Sequence, residues 1–253
     1  MPDRRTHRGP HPEDEELFAT GAIPRLQDAT RDLCWLLSRG YAAVSALKLV
    51  GDRHALRQRQ RIAVARSACS DTESARRAGR RLDLAGLNGR KLLVDGYNLL
   101  TTIEAALAGG VILAARDGSY RDMASMHGSW RRVAETGPAI DLIGGFLKMA
   151  DAPDCHWYLD RPVSNSGRLR KLLADRAASE GWHWSVELAD DPDRVLAAAQ
   201  EPIATADSAI LDRCTSWVNL AAELIRARIP DAWIVELTCS PGMTNDEIRM
   251  TNE

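Results

Sequence analysis

The stretch Lys91-Leu92-Leu93-Val94-Asp95-Gly96-Tyr97-Asn98-Leu99-Leu100 decides how the chain is read. An apolar run, Leu92 to Val94, stops at a carboxylate, and a glycine follows before helix-forming residues resume. An apolar run that gives way to a helical pattern predicts a strand followed by a helix. Asp95 at the strand end has two explanations. It caps the helix by accepting hydrogen bonds from the free N–H groups of the first turn, or it binds a metal or polarises a substrate.

Working outward, the same alternation repeats. CHWYLD (155–160), HWSVELA (183–189), EPIATAD (201–207) and AWIVEL (232–237) read as the second to fifth strands. Between them lie helical patterns in YNLLTTIEAAL (97–107), near 138–149, in SGRLRKLLADRAASEG (166–181) and in one long helix over 208–229. Strands alternating with helices predict right-handed crossovers and a parallel sheet covered on both faces. Upstream, Ala29, Leu33, Leu36 and Leu37 form one helical stripe and Val44, Leu47 and Val50 another, with Gly40 and Gly51 as punctuation. The chain therefore divides into a helical module over 16–85 and an α/β domain over 88–240. The polar stretches 1–15 and 241–253 read as flexible tails.

Composition narrows the function. With 253 residues, 45% hydrophobic content and a formal net charge of −2, the chain is long enough for one sizeable core plus a smaller module. The five cysteines, Cys34, Cys69, Cys155, Cys214 and Cys239, are far apart and show no metal-ligand spacing. No signal peptide or membrane span is evident, so a cytoplasmic protein with no membrane partner is expected. The modest overall charge conceals a basic run with Arg53, Arg57, Arg59, Arg61 and Arg66, extended by Arg76, Arg77, Arg80 and Arg81. Such a run is either a solvated helix face or a phosphate-contacting surface.

Asp95 is not alone: the second strand ends at Asp160 and the fourth reading ends at Asp207. Capping explains each singly and the coincidence less well. In an open parallel sheet the carboxyl ends of the strands share one edge, and ligands bind at its topological switch point. If the second and fourth strands flank the first, the three carboxylates converge there. Converging acids raise one another's pKa unless a cation intervenes. Hard oxygen donors select Mg2+ or Mn2+, which suits phosphodiester hydrolysis. Asp190 and Asp191, at the end of the third strand, are expected at the rim.

The motif VDGYNLL (94–100) resembles the opening motif of NYN and related PIN-like nuclease domains, and TADSAIL (205–211) resembles the later Thr-x-Asp motif of PIN domains. The resemblance covers the chain after about residue 88. It implies a PIN-like parallel sheet, Asp95, Asp160 and Asp207 as ligands of Mg or Mn, and Asn98 beside them in the catalytic group. Thr205 and Ser208 would be supporting polar groups. The order from SALKLVGDR (45–53) through YLDRPVSNSGRL (158–169) to ATADSAILD (204–212) also resembles the prokaryotic family labelled domain of unknown function 434, over roughly residues 25 to 237. PIN nucleases often carry a further helical acid, and Glu104, Asp122 and Asp212 compete for that place.

After Asp160, Ser164, Asn165 and Ser166 mark a helix start with Arg161, Arg168, Arg170 and Lys171 close by. Free N–H groups and a positive helix end attract phosphate, while an ordinary cap with exposed basic residues accounts for the same pattern. His127 is an acid–base candidate or a loop histidine, and Trp130 is a stacking candidate or a packing residue. A haloacid-dehalogenase-like phosphatase would need a second Asp where Tyr97 stands, and a dinucleotide site would need GxGxxG. The expectation is a metal-dependent nuclease acting on RNA, with single-stranded DNA a lesser candidate. The alternative is a non-catalytic nucleic-acid-binding protein with Arg57, Arg59 and Arg61 on its basic face.

Overall fold

The computed structural model describes residues 7–87, 89–123, 128–150 and 154–238. Helices α1 (Asp14–Leu17), α2 (Ile23–Ser38), α3 (Ala43–Arg53), α4 (Gln58–Ser67) and α5 (Asp71–Arg80) come first. There follow β1 (Arg81–Leu82), β2 (Leu92–Asp95), α6 (Gly96–Leu107), β3 (Ile112–Ala114), β4 (Tyr120–Asp122) and α7 (Thr136–Met149). The chain continues through β5 (Cys155–Asp160), α8 (Ser166–Glu180), β6 (Trp184–Ala189), α9 (Pro192–Ala198), β7 (Ile203–Ala204) and α10 (Ser208–Leu211). It closes with β8 (Trp217–Val218), α11 (Leu220–Arg228) and β9 (Ile234–Glu236). No helix among the described residues is long and apolar enough to cross a membrane.

A six-stranded sheet in the order β1-β8-β7-β2-β5-β6 is parallel throughout. Alternation along β2 covers both its faces, because successive side chains of a strand point to opposite sides. Leu92 and Val94 join Trp157, Leu159 and residues of α6, α7, α8 and α11 in one core, while Leu93 joins Leu196, Ile203, Ile210 and Trp217 in another. The α/β architecture and the preceding helical region agree with the reading of the sequence.

The helical region does not close its own core. Leu26, Leu33, Val50 and Val64 pack with Val111, Leu113, Val235 and Leu237, the last four on or beside a separate sheet in the order β4-β3-β9. AWIVEL thus forms a strand, but one that pairs with β3 outside the main sheet. Local signals explain the helix ends: Gly40, at φ +80°, follows α2, and Ser70 and Glu73 form a reciprocal capping box at α5. Gly51 is not punctuation. It lies inside α3, where an added Cβ would stand 2.3 Å from Arg61 Nη1, and the chain breaks after Arg53 instead.

The expected long helix over 208–229 is also corrected. A single turn of α10 ends at Leu211, and Trp217 and Val218 then enter the sheet beside β7. Trp217 is wholly buried and donates its Nε1–H to the Arg77 carbonyl at 2.7 Å, which fixes the segment as strand. Of the expected tails, residues 1–6 and 239–253 lie outside the described residues. Arg8 is anchored, its guanidinium paired with Glu104, whose side chain is inaccessible to solvent, while residues 9–13 are exposed.

Candidate active site

The strand order fulfils the geometric condition set by the acids. β5 and β7 lie on either side of β2, so the carboxyl ends that lead to Asp160, Asp95 and Asp207 are neighbours on one edge. The chain leaves β2 for β5 and β6 on one side and returns to β7 on the other. The switch point therefore lies between β2 and β7, where open α/β sheets leave a crevice.

Asp95 does not cap α6, since its side chain makes no capping hydrogen bond. Its Oδ2 instead accepts from Thr205 Oγ1 at 2.7 Å. The Thr205 hydroxyl in turn accepts from the Asp207 N–H at 3.0 Å, and Asn98 Oδ1 accepts from the Ala206 N–H at 2.9 Å. The two motifs thus interlock, with Asn98 and Thr205 tying the end of β2 to the loop after β7. Gly96 is required by packing, because a Cβ there would lie 2.6 Å from Leu159 Cδ2 and 2.9 Å from the Tyr158 carbonyl oxygen. Asp207 does cap α10: Oδ1 accepts from the Ala209 N–H at 2.7 Å and from Ile210 at 3.3 Å, which leaves Oδ2 open. Ser208 begins α10, and its hydroxyl has no hydrogen-bond partner among the described residues.

One acid at this edge escaped the sequence reading. Asp193, in the first turn of α9, interacts electrostatically with Asp207, Asp160 and Asp191, and α9 packs against β2, β5 and β6. The signal was present in Asp191-Pro192, a cap residue followed by proline, which predicts a helix start. Burial raises the Asp95 carboxyl to about 7. The Thr205 hydrogen bond opposes this, and Asp207 and Asp193 add to it. Burial likewise raises Asp160, aided by Asp191, and raises Asp193, aided by Asp207 and Asp160. Asp95, Asp160, Asp193 and Asp207 form no ion pair with Lys or Arg among the described residues. Beside them the buried Tyr97 hydroxyl, which feels the charge of Asp160, has no hydrogen-bond partner among the described residues.

The rival acids are committed elsewhere. Glu104 binds Arg8 and accepts from Thr136, Asp122 accepts from Thr102 Oγ1 at 3.0 Å, and Asp212 accepts from Arg77 and Arg76 at 2.8 Å. Asp190 stands at the exposed rim, 3.5 Å from Arg161, and Asp191 caps α9. Among the described residues no three His, Cys, Asp or Glu side chains are gathered into one metal-holding group.

The basic run of α4 has internal partners. Arg57 faces Glu13 at 3.3 Å and Glu16 at 3.5 Å, Arg59 donates to Asp14 at 2.7 Å, and Arg61 donates to Asp52 at 2.8 Å. The structure therefore places these three on an acid-paired helix face, not on an unpaired cationic surface. After β5, Arg161 donates to the Leu188 carbonyl and Ser166 Oγ to the Arg161 carbonyl. Asn165 takes φ +69° and donates from Nδ2 to the Trp130 carbonyl, so it organises a turn and makes no side-chain cap. Ser164 N–H bonds the Gly128 carbonyl, and Arg168 is exposed. Trp130 is buried in the main core and unavailable for stacking. His127 lies outside the described residues.

Fold and site together define an open parallel α/β sheet with Asp95 and Asp207 at its switch point. The chain belongs to the family described as Domain of unknown function (DUF5616), which matches residues 84–223. Protein of unknown function (DUF434) matches residues 25–80, the helical region alone, not the longer span expected from sequence. The chain is 29% identical over 202 residues to "Uncharacterized protein MJ0935" of Methanocaldococcus jannaschii, covering 79% of this chain and 96% of that protein. No solved structure matches.

Proposed function

We propose that the chain is a metal-dependent nuclease of PIN-like type that hydrolyses RNA phosphodiester bonds at the β2–β7 crevice. The observation that carries the reading is a set of four acids, Asp95, Asp160, Asp193 and Asp207, at the switch-point edge of the sheet without a cationic side-chain partner among the described residues. Acids whose charge no protein group balances attract a divalent cation. Their all-oxygen character suits Mg2+ or Mn2+. Mg2+ keeps several waters and uses one or two carboxylates with substrate phosphates, so it does not need a ready cage of three.

Asp95, Asp160 and Asp207 would be the ligands, with Asp193 close enough to Asp207 and Asp160 to feel their charge. The bound cation would supply charge stabilisation and an activated water for phosphodiester hydrolysis. Thr205 and Asn98 fix the relative positions of the two strand ends through their hydrogen bonds. A non-catalytic nucleic-acid-binding protein is the rival reading, favoured by the lack of a gathered ligand trio among the described residues.

The deciding assay is cleavage of mixed single-stranded RNA with and without Mn2+, beside thermal melts with and without the metal. Wild type should cleave and be stabilised by Mn2+, and Asp95→Asn should lose both effects while remaining folded. Wild-type protein that binds RNA yet shows neither effect would establish the binding module instead.

A further inference from the structure

The connection before β5 and the turn after it are stitched together. Trp130 N–H donates to the Ser164 carbonyl at 2.9 Å, Ser164 N–H donates to the Gly128 carbonyl at 3.0 Å, and Asn165 Nδ2 donates to the Trp130 carbonyl at 3.0 Å. Trp130 itself is anchored in the core at 3% exposure. The clasp fixes where the chain emerges, and the next two residues, Arg131 and Arg132, are both exposed. Across it, Arg168 N–H bonds the Asn165 carbonyl at 3.0 Å, so the exposed Arg168 rises from the same clasp.

Several basic groups nearby are already paired, whereas Arg170, two residues beyond Arg168 and also exposed, is as free of partners among the described residues as these three. Arg161 faces Asp190 at 3.5 Å, Lys171 bonds Asp175 at 2.8 Å, and Arg176 bonds Asp141 at 2.5 Å. Arg131, Arg132 and Arg168 form no ion pair or side-chain hydrogen bond among the described residues. Exposed guanidiniums without protein partners among the described residues, on backbone that the clasp anchors, are suited to binding phosphate oxygens.

We propose that Arg131, Arg132 and Arg168 form a phosphate-binding rail that carries a single polynucleotide strand away from the acidic crevice. The rail deepens the nuclease reading and rests on it for the location of the scissile bond. The turn that bears Asn165 follows directly from Asp160, so the rail begins where the acid edge ends. A site built for a small phosphate compound would surround it with its cations. Here the cations lie on an open surface beyond the acids, where they meet further phosphates of the same strand. The basic run on α4, already paired with carboxylates, contributes little.

The test measures affinity for a fluorescent single-stranded RNA across a series of salt concentrations, in buffer with EDTA so that no cleavage occurs. Wild type should lose affinity steeply with salt, and Arg131→Ala/Arg132→Ala/Arg168→Ala should flatten the slope of log K against log salt by roughly 0.7 for each lost phosphate contact. The corresponding triple Lys variant should keep most of the slope, and Arg57→Ala/Arg61→Ala should leave it nearly unchanged. Circular dichroism melts of every variant verify that each is folded. An unchanged slope in the triple Ala variant overturns the rail. So does a wild type that binds Mn2+ and hydrolyses bis(p-nitrophenyl) phosphate but has no affinity for RNA, a result that spares the metal site. A flattened slope with no cleavage in Mn2+ supports the rail and removes the nuclease.

Discussion

Thr205 Oγ1 donates to Asp95 Oδ2 across 2.7 Å, and this bond joins the end of β2 to the loop after β7. The same hydroxyl accepts from the Asp207 N–H. One side chain therefore sets the separation of two acids that the sequence holds more than a hundred residues apart. Thr205→Val should destabilise the fold by roughly 1–3 kcal/mol, since it leaves a half-buried carboxylate and an N–H without their partner. Thr205→Ser should recover most of the loss. Urea denaturation of the pair checks this, and equal stability of Val and Ser would deny the hydroxyl its joining role.

Asp95 also predicts a pH dependence. Its folded pKa, about 7, is raised chiefly by burial above that of an unfolded Asp, about 3.9. Between those values the folded state binds more protons than the unfolded, so this contribution to stability is complete at low pH and is lost as pH rises towards 7. Asp95→Asn should flatten that part of the stability–pH curve. Melts in metal-free buffer from pH 4 to about 8 read it directly, with the window set by those two values.

The acid limb should come from a different carboxylate. Burial raises Asp117, but Arg121, Ser119 and Arg77 outweigh it and hold its pKa below the ordinary value. Here the sign reverses. The stabilisation is complete above about 3.9 and is lost as pH falls through the lower folded value. Asp117→Asn should be less stable than wild type at neutral pH, and the difference should shrink in acid. A difference independent of pH would assign the effect to packing.

Gly96 offers a steric test. Gly96→Ala places a methyl against Leu159 and the Tyr158 backbone, and should cost about 1–3 kcal/mol. Gly145→Ala, within α7 and with no neighbour inside 4 Å of the added Cβ, should stabilise by about 0.5–1 kcal/mol. Denaturant midpoints for both variants provide the contrast.

Arg8 and Glu104 form a buried ion pair. Arg8→Met should destabilise by roughly 3 kcal/mol, because breaking such a pair strands a charge. Burial already raises the Glu104 pKa, with Arg8 opposing it. The variant should therefore recover stability on mild acidification, as Glu104 becomes neutral. Thermal melts of wild type and variant across the same pH series decide it.

Long patterned elements were legible in the sequence. β2, β5 and β6 are apolar or alternating runs, and α6, α7 and α8 have helical stripes between them. β1, β7 and β8 are two residues each, too short for a period to declare itself, and β8 lay hidden inside an apparently continuous helix. Asp95, Asp160 and Asp207 could be named because each ends a recognisable segment, but their placement on neighbouring strand ends depended on a strand order that pairing alone supplies. The fate of the arginines was illegible for a similar reason. Arg59 finds Asp14 and Arg77 finds Asp212, partners brought close only by the folded chain.

The core shared by the N-terminal helices and the β3–β9 strands has a consequence for biosynthesis. Leu26 and Leu33 leave the ribosome well before Val235 and Leu237, which seal the same core. Until those strands follow, the helices expose an apolar face that their own residues cannot cover. The nascent chain passes through a long interval in which a chaperone has something to hold.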